Sequence, residues 1–224
     1  MTTPVVFLSG AGLPSWIWDD VRSRLEAPSS VAAVTKGRAS LREIVEGVVA
    51  QLPDEPCHLV AHSIGGTVAA GVVAVAPGRV AALTAVCAIV PEPGQSFASC
   101  LPVPQRYVMS AMVRVLGTRP PASVLRSQLG GGLADDVADR VVAGFEPESR
   151  RLYLDRLPAQ PAASWPADAA YLVTTEDGEF PVALQERYAA VPAAHTSQVP
   201  AGHLPMLSQP DAVAGLVSRA ARRM

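Results

Sequence analysis

Residues 57–66 read Cys-His-Leu-Val-Ala-His-Ser-Ile-Gly-Gly, and the pattern changes at Ser63. The run 57–61 is mostly apolar, which predicts a strand buried on both faces of a parallel sheet. The run 64–76 is rich in glycine and alanine and predicts a helix packed closely against that sheet. Ser63 therefore lies at a corner where a buried strand passes directly into a helix.

On both sides of this corner, apolar runs alternate with helical patterns. The predicted strands cover residues 4–9, 31–35, 57–61, 80–90, 169–174 and 195–199. The predicted helices of this alternating part cover residues 16–25, 40–52, 64–76, 182–190 and 208–223. Ser208 and Asp211 resemble a capping box at the start of the last helix. The alternation predicts an α/β fold with a mostly parallel, doubly wound sheet.

One long segment breaks the alternation. Residues 93–165 contain short helical patterns separated by prolines and glycines, and no convincing strand. An insertion after the end of a parallel strand lies over the ligand-binding edge of the sheet. We therefore expect a core formed by residues 1–92 and 167–224, covered by a helical cap insertion in residues 93–166.

The serine at the corner has the surroundings of an activated nucleophile. Such a turn needs small residues two positions before and after the serine, and Ala61 and Gly65 occupy these positions. The pattern Ala-His-Ser-Ile-Gly differs from the nucleophile-elbow motif G-x-S-x-G only by alanine for the first glycine. A serine that simply caps the helix is the alternative. The preceding buried strand and the glycine-rich helix favour the nucleophile.

Two backbone N–H groups are predicted to form an oxyanion hole near Ser63. The N–H of Ile64 lies at the start of the helix, where the helix dipole favours negative charge. A second donor must come from the loop after the first strand, which reads Ser-Gly-Ala-Gly over residues 9–12. We assign it to the N–H of Ala11, because Gly10 and Gly12 allow close approach of the backbone. An ordinary turn is the alternative for this loop.

The remaining catalytic groups are predicted near the ends of the last two strands. His203 follows the final strand in a loop bounded by glycine and proline, so it can reach over the sheet edge as the general base. Asp177 follows the preceding strand and is the predicted acid that orients the base, in the order Ser-Asp-His. Its alternative is a role in an Asp-Gly turn. Glu176 and Glu92 are its rivals for the acid.

Composition limits the partners and the compartment. Of 224 residues, 49% are hydrophobic and 17% charged, and the formal net charge is −2. This predicts a folded chain that binds neither nucleic acid nor membranes. The only basic cluster, Arg219 with Arg222 and Arg223, is assigned to the end of the last helix. Three cysteines, an odd number without metal-binding spacing, and a start without a signal-peptide pattern predict a cytoplasmic protein. Homodimer formation is left open.

Four segments resemble the α/β-hydrolase superfamily, in particular its small methylesterase and hydroxynitrile lyase branch. They are residues 7–12 with Trp16 and Trp18, residues 61–66, residues 174–177 and residues 202–210. The chain departs from that branch in having Ser9 where a histidine is usual. It also has Leu204 where the lyases carry a lysine, which argues against cyanohydrin cleavage. A serine at the elbow argues against dehalogenase and epoxide hydrolase chemistry.

These features together predict a bacterial serine hydrolase that cleaves an ester, thioester or lactone of a small apolar substrate. The reaction requires neither a metal nor an organic cofactor. The pocket is expected to be lined by Gly12, Trp16, His62, Tyr107, Met109, Met112 and Leu204. The first alternative is a cyclase, lyase or acyltransferase of secondary metabolism on the same fold. The second alternative is a ligand-binding protein without catalysis.

Overall fold

A six-stranded sheet forms the centre of the molecule. The computed structural model describes residues 2–159, 165–166, 168–190 and 195–221. The strands are β1 (Val5–Leu8), β2 (Ser29–Val31), β3 (Cys57–His62), β4 (Val80–Val86), β5 (Asp168–Thr174) and β6 (His195–Val199). Every neighbouring pair is parallel, in the order β2-β1-β3-β4-β5-β6. This is the predicted α/β sheet.

Helices cover both faces of the sheet and its carboxyl edge. They are α1 (Asp19–Arg22), α2 (Leu41–Val49), α3 (Gly65–Val75), α4 (Phe97–Cys100), α5 (Gln105–Val115), α6 (Ala122–Leu129), α7 (Asp135–Ala143), α8 (Arg150–Leu154), α9 (Val182–Ala189), α10 (Pro205–Ser208) and α11 (Pro210–Ala221). Short 3₁₀ turns precede α1 and β4. No helix in the described residues is long and apolar enough to cross a membrane.

Apolar side chains on the two faces of the sheet form two cores. One core packs α2, α3 and α9 against the strands, and the other packs α1 and α11 on the opposite face. Strand β3 is buried along its whole length, because it lies between β1 and β4 and has helices on both sides. The carboxyl end of β3, where Ser63 follows, is therefore fixed by packing on both faces of the sheet.

Five helices, α4 to α8, lie between β4 and β5 in the chain. Each is short, and Pro102, Pro104, Pro120 and Pro121 separate some of them, because proline cannot supply the N–H that a continuing helix needs. The division of the chain into core and cap at residues 92 and 166 stays a prediction. Residue 167, where the second core segment was expected to begin, lies outside the described residues, as do Arg222 and Arg223.

The structure corrects several boundaries. The second strand is Ser29–Val31 rather than 31–35. The strand expected at 80–90 ends at Val86, because Cys87 adopts a φ of 35° that leaves the extended conformation. The last helix begins at Pro210, and Ser208 ends α10 instead of capping α11.

Candidate active site

Ser63 occupies the corner between β3 and α3. Its φ of 54° is in the left-handed region that residues with a side chain rarely adopt. Backbone contacts hold it there: the Ser63 N–H donates to the Val86 carbonyl at 3.3 Å, and its carbonyl accepts from the Ile89 N–H at 3.1 Å. Strain at a single residue persists only where its surroundings enforce it, and such residues cluster at functional sites.

Two glycines let the corner form. A Cβ on Gly65 would lie 2.7 Å from the Leu8 carbonyl oxygen, and a Cβ on Gly66 would lie 2.6 Å from that of Ile89. Both oxygens belong to the backbone and cannot give way cheaply, so both positions require glycine. The small residue that the sequence motif demanded at 65 therefore has a direct steric cause.

His203 and Asp177 meet at the same edge of the sheet. The His203 Nδ1–H donates to Asp177 Oδ2 at 2.8 Å, because an ionised carboxylate can only accept. The other oxygen, Oδ1, accepts from the backbone N–H groups of Glu179 at 2.8 Å and Phe180 at 2.9 Å. Both side chains are almost fully buried. Asp177 thus fixes the imidazole with Nε2 as the nitrogen left for proton transfer.

The rival acids lie elsewhere. Glu92 is exposed and its side chain contacts Gln95, and Glu176 is exposed beside Asp177. Neither contacts His203. Ser63 and His203 approach the same edge, since His62 contacts the His203 backbone, but no hydrogen bond joins their side chains among the described residues.

The charges around the imidazole favour its protonated form. Burial alone lowers the pKa of His203, but the Glu179 carboxylate and the hydrogen bond to Asp177 raise that pKa well above 6.5. Burial alone raises the pKa of Asp177, but His203 and the N–H groups of Phe180 and Glu179 lower it overall. The arrangement suits a base that must hold a proton during a reaction.

The loop after β1 lies against the corner. A Cβ on Gly10 would come within 3.0 Å of the Ser63 Cβ, so this loop touches the corner directly. The N–H groups of Ala11 and Ile64 donate to no acceptor in the part of the chain that the structure describes. Free N–H groups beside a strained serine can bind a developing oxyanion.

A model of the alpha/beta hydrolase family matches residues 5–216, nearly the whole chain. The chain belongs to this family. No curated protein matches its sequence.

Solved structures with the same fold share about a fifth of the sequence of this alpha/beta hydrolase. An extracellular alpha/beta-hydrolase from a Paenibacillus species, described as homologous to tobacco salicylic acid binding protein 2, has 20% identity and a TM-score of 0.83, with 98% of this chain and 99% of that chain covered. A pyrethroid hydrolase from Sphingobium faniae has 20% identity and a TM-score of 0.75, with coverage of 99% and 98%. Polyneuridine aldehyde esterase has 20% identity and a TM-score of 0.71, with coverage of 98% and 99%.

Five of the seven residues expected to line the hydrolase pocket lie either in the interior beside His203 or on α5. His62 and Leu204 are buried, and their contact with substrate stays a prediction. The His62 Nε2–H donates to the His203 carbonyl at 2.8 Å. Burial is the main cause that lowers the pKa of His62 to about 3, and the charge of the nearby His203 lowers it further. Tyr107 is 65% exposed on α5, on the same helix as the largely exposed Met112. Met109 of this helix packs partly against the core.

The other two expected pocket residues contact the insertion. The Phe145 ring fills the space beside Gly12, and the Arg140 guanidinium lies 3.9 Å from the centre of the Trp16 ring. Trp18, which the sequence marked only as part of a resemblance, donates its indole N–H to the Ser9 hydroxyl at 3.1 Å and supports the same loop. Ser9 thus fills the position of the usual histidine with a smaller hydrogen-bonding side chain.

Three buried ligand-type side chains, His62, Cys87 and His203, lie close enough to hold a metal ion. Their protein contacts compete with that role. The His62 Nε2–H and the Cys87 thiol both donate to the His203 carbonyl, and Asp177 occupies the His203 Nδ1. Burial also raises the pKa of Cys87, which keeps its sulfur a thiol. The expectation that no metal is needed stays a prediction.

Sequence reasoning missed Glu148, which ties the insertion to the loop after β1. Its Oε1 accepts from the Gly12 N–H at 3.2 Å and from Lys36 at 2.8 Å, and only 5% of its side chain is exposed. The Gly12 carbonyl accepts from the Glu146 N–H at 2.9 Å. No local pattern could reveal a contact between residues so far apart in the chain.

We expect Glu148→Ala to lower the free energy of unfolding by about 2 kcal/mol, because it leaves the buried Gly12 N–H without an acceptor and Lys36 without its nearer carboxylate. Glu146→Ala is the matched control. Its carboxylate also faces Lys36, at 3.6 Å, but is 71% exposed, so its loss should cost under about 0.5 kcal/mol. Urea unfolding of both variants measures the difference. Equal losses would show that the buried contact to Gly12 contributes nothing.

Proposed function

We propose that this alpha/beta hydrolase cleaves an ester, thioester or lactone bond of a small apolar substrate through an acyl-enzyme on Ser63. The observation that carries the proposal is the 2.8 Å contact of His203 with Asp177 at the same sheet edge as the strained Ser63. The neighbouring solved structures support it, since their names include hydrolases and an esterase. Their substrates are not carried over to this chain.

The proposed reaction has two halves. In the first, Ser63 Oγ attacks the carbonyl carbon while its proton passes to His203 Nε2, and Asp177 stabilises the resulting imidazolium. The N–H groups of Ile64 and Ala11 bind the oxyanion, the bond to the leaving group breaks, and His203 gives the proton to that group. In the second half, water attacks the acyl-enzyme with the same base. The carboxylic acid leaves and the Ser63 hydroxyl is restored.

An active-site probe tests this proposal on the unaltered protein. We expect a fluorophosphonate to label one site per chain and to abolish p-nitrophenyl acetate hydrolysis in proportion to labelling. Heat-denatured protein is the control for non-specific labelling. Hydrolysis that continues in fully labelled protein would overturn the proposal. Labelling without hydrolysis of any ester would favour the cyclase, lyase or acyltransferase alternative, and no labelling would favour a binding protein.

The pH dependence of the reaction follows from the charges around His203. The base must be neutral to accept the Ser63 proton, so kcat/KM should fall on the acid side with a midpoint above 6.5. Because the Glu179 carboxylate favours the imidazolium, Glu179→Gln should move this midpoint to lower pH, whereas Glu176→Gln should not. Initial rates across a pH series measure both. A midpoint at or below 6.5, or one unmoved by Glu179→Gln, would contradict the assignment.

The cytoplasmic location and a homodimer stay predictions. The three cysteines are buried free thiols, and this supports a reducing compartment.

A further inference from the structure

Glu179 places a second carboxylate against the base. It lies two residues after Asp177 on the loop between β5 and α9, and its Oε2 is 3.7 Å from His203 Nε2. Asp177 holds the opposite ring nitrogen, Nδ1. The same short loop therefore faces both ring nitrogens of the imidazole, and only the contact of Asp177 belongs to a Ser-His-Asp triad.

The Glu179 carboxylate lies close to the place that the leaving group occupies in the proposed reaction. In the proposed reaction Nε2 gives its proton to the leaving oxygen or sulfur, which must come within about 3 Å of that nitrogen. A carboxylate oxygen 3.7 Å from Nε2 then lies within about 7 Å of the leaving atom. A positive charge a few bonds beyond the leaving atom can approach Glu179 to a similar distance, where the two charges attract each other at a site partly shielded from water.

No lysine or arginine in the described part of the chain forms an ion pair with Glu179. Its only ionic contact among the residues that the structure describes is with His203 itself, and 26% of its side chain is exposed. Aromatic rings also pack near His203. Phe180 packs edge-on against His203 at 5.0 Å between ring centres, and Phe97 lies between Phe180 and Tyr153. A carboxylate beside aromatic rings attracts cations.

We propose that Glu179 is a specificity-determining residue that favours esters and thioesters whose leaving group carries a positive charge, such as a quaternary ammonium or a protonated amine. The inference rests on the proposed function and adds a substrate class to it. A leaving group with a negative charge at the same place would be repelled.

Two thioesters of nearly equal shape test the inference. Acetylthiocholine carries a quaternary ammonium, and 3,3-dimethylbutyl thioacetate has a carbon atom in place of the nitrogen. We expect kcat/KM of the wild-type protein to be about tenfold higher for the cationic thioester, and the ratio to fall to about one in Glu179→Gln. Glu176→Gln, which removes an exposed carboxylate from the same loop, is the matched control and should keep the ratio.

The ratio separates charge selection from an effect on the base. Both thioesters use the same His203, so any change in its proton affinity cancels between them. A ratio near one in the wild-type protein, or a preference that survives Glu179→Gln, would overturn the inference. The proposed function would stand in either case, provided that the neutral thioester is hydrolysed and Ser63→Ala stops its hydrolysis. Absence of such hydrolysis would remove both proposals.

Discussion

Replacing Ser63 with alanine should lower kcat/KM for p-nitrophenyl acetate by a factor of roughly 10³ to 10⁶. The substitution removes only the hydroxyl group, whose oxygen forms the acyl-enzyme in the proposed reaction. Alanine keeps the same Cβ at the strained φ of 54°, so the corner should fold as before. Ester hydrolysis is followed at 405 nm, about the absorption maximum of p-nitrophenolate. The free energy of unfolding of each variant, measured in parallel, shows whether the variant is folded.

Ser23→Ala is the control for this prediction. Ser23 is an exposed serine at the end of α1 that donates to the Asp20 carbonyl, so its hydroxyl has no part in the site. Its loss should change the rate by less than about twofold. Full activity in a folded Ser63→Ala protein would show that another nucleophile carries the reaction.

Replacing Asp177 with asparagine should lower kcat by about 10⁴, an effect of the size known for the corresponding change in a serine protease triad. The hydrogen bonds explain why. Asp177 Oδ1 accepts from the N–H groups of Glu179 and Phe180, so the asparagine oxygen must stay there. Its NH₂ group then faces His203 Nδ1, which can no longer be a donor. The imidazole is forced to carry its proton on Nε2, where it cannot accept the serine proton.

Two further variants separate Asp177 from its rivals. Glu176→Gln and Glu92→Gln both remove exposed carboxylates that do not contact His203, and each should keep kcat within about threefold of the wild-type value. Steady-state rates at saturating ester compare the three variants. A large loss in Glu176→Gln, together with a small loss in Asp177→Asn, would show that Glu176 and not Asp177 is the acid.

The sequence was sufficient where local geometry decides the structure. Residues 57–66 predict a buried strand, a corner and a helix, because burial and the need for small residues act within a few positions. The parallel sheet followed from the alternation of apolar runs. His203 and Asp177 could be chosen because each follows a strand that ends at the same edge, and the structure places them 2.8 Å apart.

Long-range packing decided what the sequence could not reveal. Glu148 looked like any charged residue, yet the insertion buries it against Gly12. The orientation of α5 depends on how the insertion packs, and Tyr107 turned out to be largely exposed. Glu179 belongs to no sequence motif, and only the bend of the chain after β5 brings its carboxylate to His203. The hydrogen bond from His62 to the His203 carbonyl also joins residues far apart in the chain.

A crystal structure of the fluorophosphonate-treated protein would test most directly whether Ser63, His203 and Asp177 work together. Phosphorus should be bonded to Ser63 Oγ, with a phosphonyl oxygen accepting from the N–H groups of Ile64 and Ala11. His203 Nε2 should lie within about 3.2 Å of an oxygen of the adduct, with Asp177 still on Nδ1. Phosphorus on any other side chain, or an imidazole turned away from residue 63, would contradict the proposed mechanism.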